Sequence, residues 1–126
     1  MKDIEIQGKN YTEAEAMAMA LKYHKEKDFY KAERIYRKIY LANPRNADAL
    51  HFSALILYHF GDFNSALFFL NRAIKLNEAV PEFYYNKGIV ELEINNFKEA
   101  KLCFQKALEL NPNYNKAQEA IRKYVT

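Results

Sequence analysis

Residues 28–32 read DFYKA, residues 62–66 read DFNSA and residues 96–100 read NFKEA, so an aromatic residue precedes an alanine by three places each time. Phe29, Phe63 and Phe97 recur with a period of 34 residues. A period of this length is typical of arrays of short supersecondary units, each of which buries its apolar face only against its neighbours. These three stretches therefore predict a repeat protein.

The same period divides most of the chain into three units: residues 13–46, 47–80 and 81–114. Each unit contains two helical patterns that flank a break rich in turn and capping residues. Small residues at two fixed places would let the two helices approach closely, and the aromatic residue after the break would fill the angle between them. The small residues are Ala20, Ala54, Gly88, Ala32, Ala66 and Ala100. We therefore predict one helical hairpin in each unit.

The arrangement of small, aromatic and proline positions resembles the tetratricopeptide repeat family. The resemblance covers residues 13–114 and is strongest in the third unit, EFYYNKGIVELEINNFKEAKLCFQKALELNP. It implies an all-α fold, a right-handed superhelical solenoid of helical hairpins with seven helices. The sequence departs from the family pattern at Ala16 and Leu50, where an aromatic residue is usual, and at Glu78, where proline is usual.

Two further segments flank the predicted array. Residues 1–12 form an N-terminal leader, and residues 115–126 predict a C-terminal capping helix, because one face of this last segment is apolar and the other polar. The first helix of the array carries an additional apolar stripe, which the leader, a second subunit or a ligand would cover. This stripe consists of Ala14, Met17, Ala18 and Leu21.

Composition and charge argue against several classes of protein. The net charge of +3 arises from 19 basic and 16 acidic residues spread along the chain, so it indicates no particular charged partner. The lone Cys103 cannot form an intrachain disulfide, and the longest apolar stretch, residues 54–60, is far shorter than the roughly 20 residues that span a bilayer. The N-terminus lacks the apolar segment of a secretory signal. We expect a cytoplasmic protein that contacts no membrane.

Motifs for catalysis or metal binding are missing from the sequence. It has no glycine-rich phosphate loop and no nucleophile elbow. His51 and His59 would lie about 12 Å apart along a helix, too far to share a metal ion. A basic run with interleaved tyrosines, between Lys31 and Lys38, is better explained by a solvent-exposed helix face than by a nucleic-acid site. We therefore expect no enzyme, no cofactor, no metal site and no nucleic-acid partner.

The family resemblance implies that the first helix of each hairpin lines a concave groove. In this sequence the centre of that groove is apolar and aromatic, which suits a short apolar or amphipathic peptide held by a few anchors. We therefore predict a chaperone-like scaffold or adaptor that binds another protein through such a peptide segment. The candidate groove contacts are Met17, Leu21, His51, Leu55, Tyr58, Tyr85, Ile89 and Leu92.

Two of these candidates, Tyr85 and His51, are the predicted anchors, because their polar atoms need a hydrogen bond from water or from a partner. For Leu55, Ile89 and Leu92 the alternative is a place in the core between repeats.

Members of one subset of the family bind the terminal carboxylate of a peptide through five Lys, Asn and Arg side chains. At the corresponding positions this chain has Met17, Leu21, Phe52, Glu82 and Asn86. None of the five matches, so the sequence argues against such a clamp.

The alternative to peptide binding is self-assembly into a homo-oligomer. The apolar stripe of the first helix is one candidate contact surface, and the run LFFL at residues 67–70 is another, since Phe68 and Phe69 would lie near the convex side.

Overall fold

The computed structural model of the protein describes residues 2–124. Met1, Val125 and Thr126 lie outside the described residues, and with them the outer ends of the predicted leader and capping helix. In the described part the predicted all-α array of seven helices is confirmed, and a short antiparallel hairpin of two strands precedes it. The elements are β1 (Ile4–Ile6), β2 (Lys9–Tyr11), α1 (Glu13–Lys25), α2 (Phe29–Ala42), α3 (Ala47–His59), α4 (Phe63–Leu76), α5 (Pro81–Glu93), α6 (Phe97–Leu110) and α7 (Asn115–Tyr124).

Side-chain caps determine where the first four helices begin. Thr12 and Glu15 form a reciprocal capping box at the start of α1. The caps of α2, α3 and α4 each accept a hydrogen bond from the backbone N–H three residues further on; they are Asp28, Asn46 and Asp62. α5 begins instead with Pro81, whose missing N–H costs nothing in a first turn.

The turn between the two helices of each hairpin has the same backbone conformation in all three units. Lys27, Gly61 and Asn95 occupy equivalent places 34 residues apart, with φ angles of 63°, 82° and 62°. This left-handed region is natural for glycine and tolerable for asparagine, but it is unusual for lysine. The repetition of one turn geometry lets successive hairpins stack in the same way.

Close approach of helices is most marked in the third hairpin. A Cβ atom added to Gly88 of α5 would lie 2.5 Å from Cε1 of Phe104 on α6, so only glycine fits beside this ring. Phe104 is fully buried, as are the equivalent Tyr36 and Leu70 of the other hairpins. The small residues therefore act as spacers, as the sequence predicts.

The strand hairpin β1–β2 was not expected from the sequence. Ile4 and Ile6 are buried and belong to the same core cluster as Ile35 and Ile39 of α2. Lys38 of α2 also holds the strand hairpin in place, since its Nζ donates to the backbone oxygen of Glu5 at 2.7 Å. The leader is thus an integral part of the fold.

The position of this strand hairpin settles what the leader covers. It packs on α2 through β1 and on α1 through β2, but Ala14 and Ala18 of the apolar stripe on α1 remain exposed. Met17, from the same stripe, packs against the first core cluster. The leader therefore does not cover the stripe as a whole.

One aromatic wedge differs from the prediction. The ring of Phe29 packs 4.3 Å from that of His59, in the hairpin that follows its own. Phe97, at the equivalent place of the third hairpin, is 52% exposed. Phe29 also contacts His24 of its own hairpin, so the burial of this aromatic residue depends on the neighbouring hairpin as well as on its own two helices.

Candidate functional site

His51 lies below the surface of α3 and not on it. Its side chain is 7% exposed and packs beside the rings of Phe52 and Phe83, at centroid distances of 5.1 and 4.8 Å. Burial, together with the nearby His24, lowers the pKa of His51 to about 4. His51 is therefore a neutral residue of the interior at pH 7, with little surface available for a ligand.

The buried His51 ring positions a half-buried residue of α5. Its Nε2 atom lies 2.8 Å from Nδ2 of Asn86 on α5, so the asparagine amide donates and the imidazole accepts. His51 then carries its proton on Nδ1. This contact joins the second and third hairpins and fixes the orientation of the Asn86 amide.

His24 also has a structural role. Its Nδ1 atom lies 3.1 Å from the hydroxyl of Tyr36, and its ring contacts Phe29 and Phe52 edge-on. Burial lowers the pKa of His24. His24 and His59 both pack against Phe29.

Tyr85, the second predicted anchor, lies in a different aromatic group from His51. It is half-buried, and its ring centroid lies 5.8 Å from that of Phe104 and 5.4 Å from that of Tyr114. Ile89 and Leu92 join Tyr85 against the core between the third hairpin and α7. The two predicted anchors therefore do not form one adjacent pair.

Seven of the eight predicted contact residues are partly accessible to solvent, and His51 is the exception. Tyr58 illustrates how they are held. Its hydroxyl donates to Oε1 of Glu93 at 3.0 Å, which links α3 to the end of α5. We call these seven residues, together with Asn86, the groove face: Met17, Leu21, Leu55, Tyr58, Tyr85, Asn86, Ile89 and Leu92.

Sequence analysis did not select two residues of this region, Asn86 and Tyr114. Asn86 directly follows the predicted anchor Tyr85 in the sequence. Its position within the 34-residue repeat was the signal that could have identified it. Tyr114 lies between α6 and α7, outside the first helices that were expected to line the groove. Its pKa is raised to about 12 by burial and by the charge of Glu82 and the neighbouring Tyr85.

Further polar side chains lie on α5 and α6. Lys87 and Glu91 lie one turn apart on α5, but Lys87 Nζ instead lies 3.4 Å from Oε1 of Glu99 on α6. Glu91 is buried and its Oε2 atom has no hydrogen-bond partner, and burial raises its pKa. Cys103 is also buried, which raises its pKa to about 12 and keeps the thiol protonated.

The basic run on α2 borders a small pocket of about 80 Å³ beneath the strand hairpin. Three of the four cations in this run already have partners. Lys38 contacts Glu5, Lys31 Nζ lies 3.7 Å from Asp28, and Arg37 pairs with Glu33 at 2.9 Å. Between residues 2 and 124 no group of three or more His, Cys, Asp or Glu side chains is arranged to hold a metal ion. In the same range no helix has the length and apolar character needed to cross a membrane.

Comparison with known proteins defines the family. Two models of the tetratricopeptide repeat match, one over residues 47–80 and the other over residues 81–114. Together they cover more than half of the sequence, and the chain belongs to the tetratricopeptide repeat family.

Relatives and solved structures agree with this assignment. The human DnaJ homolog subfamily C member 7 is 28% identical over 100 residues, which are 79% of this chain and 20% of that protein. The chain thus spans about a fifth of the length of this relative. The first repeat domain of Spaghetti (RPAP3), bound to the HSP90 peptide SRMEEVD, has a TM-score of 0.84 at 26% identity, over 88% of both chains. The first such domain of human RPAP3 has a TM-score of 0.83 at 26% identity, over 88% of this chain and 87% of that one. The fold and family are those of protein-interaction modules.

Proposed function

We propose that this protein is an adaptor or co-chaperone-like scaffold that binds a short apolar or amphipathic peptide segment of another protein along the groove face. The groove face combines half-buried apolar and aromatic side chains from α1, α3 and α5. Such side chains supply anchor pockets at small entropic cost because packing already restricts them. We also propose that residues 13–46 form a first repeat, before the two matched by the family models.

The observation that carries this proposal is the contact between Asn86 and His51. A buried neutral imidazole occupies one amide hydrogen of Asn86. The carbonyl oxygen and the second amide hydrogen are then held in one orientation. An extended peptide presents a backbone donor and acceptor at every residue except proline, so a fixed amide matches it without regard to sequence. In this proposal Asn86 orients the peptide backbone while Tyr58, Tyr85 and Leu55 contact its side chains.

A display experiment with random peptides tests this proposal. Phage that carry 12-residue peptides are selected on the immobilised protein, and the affinities of enriched peptides are measured by fluorescence anisotropy. We expect Asn86→Ala and Tyr85→Ala each to weaken binding by about 1–3 kcal/mol, the range for a buried interface anchor. Phe68→Ala, at a 59% exposed position on α4, serves as the control and should leave affinity unchanged.

The opposite pattern of results would refute the proposal. If Phe68→Ala abolishes peptide binding while both groove variants bind normally, the binding surface lies on α4. Tyr85 also packs on Phe104, so its variant must be checked for loss of stability. Asn86→Ala leaves the buried Nε2 atom of His51 without its partner, so this variant needs the same check.

Homo-oligomerisation is the second candidate function. Phe68 is 59% exposed, and Ala14 and Ala18 of the α1 stripe are exposed as well. Exposed apolar residues of this kind are found at contacts between subunits. Light scattering during gel filtration distinguishes the candidates, because a mass of one chain at every concentration would eliminate self-assembly.

A further inference from the structure

The pocket beneath the strand hairpin combines an apolar lining with basic side chains. It lies between the strand hairpin, α1 and α2, and its volume is about 80 Å³. Its apolar and aromatic lining consists of Ile6, Met19, Tyr23 and Ile35, and its basic lining of Lys31, Arg34 and Lys38. The two isoleucines are buried, the three basic residues are exposed, and no described residue that lines the pocket is acidic. We call this cavity the N-terminal pocket.

The repeat period indicates which kind of side chain fits here. Ile35 of the first hairpin corresponds to Phe69 of the second, 34 residues later in the sequence. Phe69 is covered from the preceding hairpin, because the ring of Tyr40, in the last turn of α2, lies 5.3 Å from its ring. The second hairpin thus presents this face to an aromatic side chain of the hairpin before it.

In the first hairpin the strand hairpin fills the corresponding place only in part. Ile4 and Ile6 pack with Ile35 in one core cluster, but the N-terminal pocket remains beside Ile6 and Ile35. Its volume is well below the roughly 300 Å³ of a small-molecule site, so it has room for one side chain. A ring in this place would also lie beside Tyr23, and such aromatic pairs are favourable.

The basic lining of the pocket keeps one cation without an ion partner. Lys31 and Lys38 already pair with carboxylates. Arg34 has no ion pair within 4 Å in residues 2–124, since the adjacent Glu33 accepts from Arg37 at 2.9 Å. A planar guanidinium binds a carboxylate through two parallel hydrogen bonds. The charge at the pocket therefore favours an acidic residue beside the side chain that enters.

The exposed rings of this chain do not offer that combination. Among residues 2–124 the exposed large aromatic side chains are Tyr30, Phe60, Phe68, Phe97 and Tyr124. None of them has an acidic residue directly before or after it in the sequence. This favours another protein, and not a second copy of this chain, as the source of the occupant.

Beyond the groove, we propose that the N-terminal pocket is a second docking site, which takes up an aromatic side chain of a partner protein while Arg34 pairs with an Asp or Glu next to it in that partner. The ring packs on Ile35, as Tyr40 packs on Phe69 in the second hairpin. The N-terminal pocket shares no residue with the groove face. Binding at one site therefore does not require the other to be empty, which suits an adaptor.

Nuclear magnetic resonance of the isoleucine methyl groups tests the proposal on the full chain. The probe is a capped dipeptide, N-acetyl-tyrosyl-glutamate amide. Ile6 and Ile35 report on the N-terminal pocket, and Ile89 reports on the groove face. We expect the probe to shift the Ile6 and Ile35 signals in a saturable manner. Probes with alanine in place of tyrosine, or lysine in place of glutamate, should bind at least about fivefold more weakly.

Three variants separate the parts of the site. Arg34→Glu should weaken binding of the tyrosyl-glutamate probe about tenfold, because it replaces attraction by repulsion. The matched control is Lys101→Glu, which makes the same change of charge at an exposed place on α6 that has no ion pair in residues 2–124. It should bind as the wild type does. Met19→Trp, which fills the pocket from α1, should abolish the shifts at Ile6 and Ile35, and the remaining isoleucine signals show whether the variant is folded.

Several results would overturn the inference. It is wrong if the Ile6 and Ile35 signals stay in place up to about 10 mM probe, or if the alanine probe or Arg34→Glu binds as tightly as the original pair. If only Ile89 shifts, the pocket inference is wrong and the groove proposal stands. If the Ile6 and Ile35 signals change with protein concentration without any probe, a second copy occupies the pocket, and the inference is again wrong.

Discussion

Acidification should destabilise this protein through the buried histidine of α3. His51 has a pKa of about 4 in the folded protein, below the ordinary value of 6.5 that applies to the unfolded chain. Between these two values the unfolded chain binds more protons than the folded protein does. The free energy of unfolding therefore falls as the pH is lowered through this window.

The size of the effect follows from the two pKa values. At about pH 7.5 both states are almost entirely neutral at His51, so the contribution of this group is close to zero. At about pH 5 nearly every unfolded chain is protonated there but only about a tenth of the folded molecules are, which costs roughly 2 kcal/mol. Burial lowers the pKa of His24 as well, so His24 acts in the same direction.

Urea unfolding followed by circular dichroism at these two pH values measures the loss. We expect the wild type to lose about 2 kcal/mol more than His51→Gln, because glutamine does not titrate. Carboxylates that titrate in the same range affect both proteins equally and cancel in the comparison. His59→Gln is the matched control, since it replaces an exposed histidine of the same helix.

An equal loss in the wild type and in His51→Gln would refute the reasoning. His51 would then be protonated in the folded protein at pH 5, and the hydrogen bond that orients Asn86 would have to be different. The same urea curves would show whether His51→Gln lowers stability at neutral pH, where its amide can still contact Asn86.

Three further predictions concern stability and can be checked by urea or thermal unfolding at pH 7. Phe104→Ala should lower the free energy of unfolding by about 3–5 kcal/mol because it leaves a cavity. Phe97→Ala, at a half-exposed ring, should lower it by about 1 kcal/mol, and similar losses in the two variants would contradict the structure. Gly88→Ala should cost about 1–3 kcal/mol by forcing a methyl group against Phe104, and a neutral result would disprove this contact. Glu91→Leu should stabilise the folded protein by about 1 kcal/mol at neutral pH. The gain should be smaller in acid, because the protonated carboxyl of the wild type costs little to bury, and a loss of stability would contradict this prediction.

The helices were predictable because identical stacking imposes an exact period on the sequence. Small residues such as Ala32 and Gly88 must recur where backbones meet, and a 34-residue spacing records this directly. The strand hairpin was not predictable in the same way, since its strands have three residues each and occur once. The available signal was the alternation of Ile4, Glu5 and Ile6, which is typical of a strand. Gln7 and Gly8, which follow it, indicate a tight turn.

The sequence predicted at which helix positions the candidate residues lie, but not how deeply each side chain is buried. Periodicity places His51 and Tyr85 on equivalent turns of α3 and α5, yet His51 is buried because the rings of Phe52 and Phe83 enclose it. The ion partner of Lys87 was not predictable for a related reason. The period does not indicate whether a side chain turns along its own helix or across to the next one, where Glu99 lies. Side-chain size at neighbouring places decides these outcomes.

The largely sequential packing of this chain has a consequence for how it forms. Each helix packs on the one that follows it, and the side-chain hydrogen bonds between hairpins, such as Tyr58 to Glu93 and Asn86 to His51, join residues 35 apart. Closing loops of this length costs little chain entropy, and proteins of low contact order fold in about milliseconds or less. During synthesis, α1 and α2 can therefore pair as soon as they leave the ribosome, and each later hairpin adds to a surface that already exists.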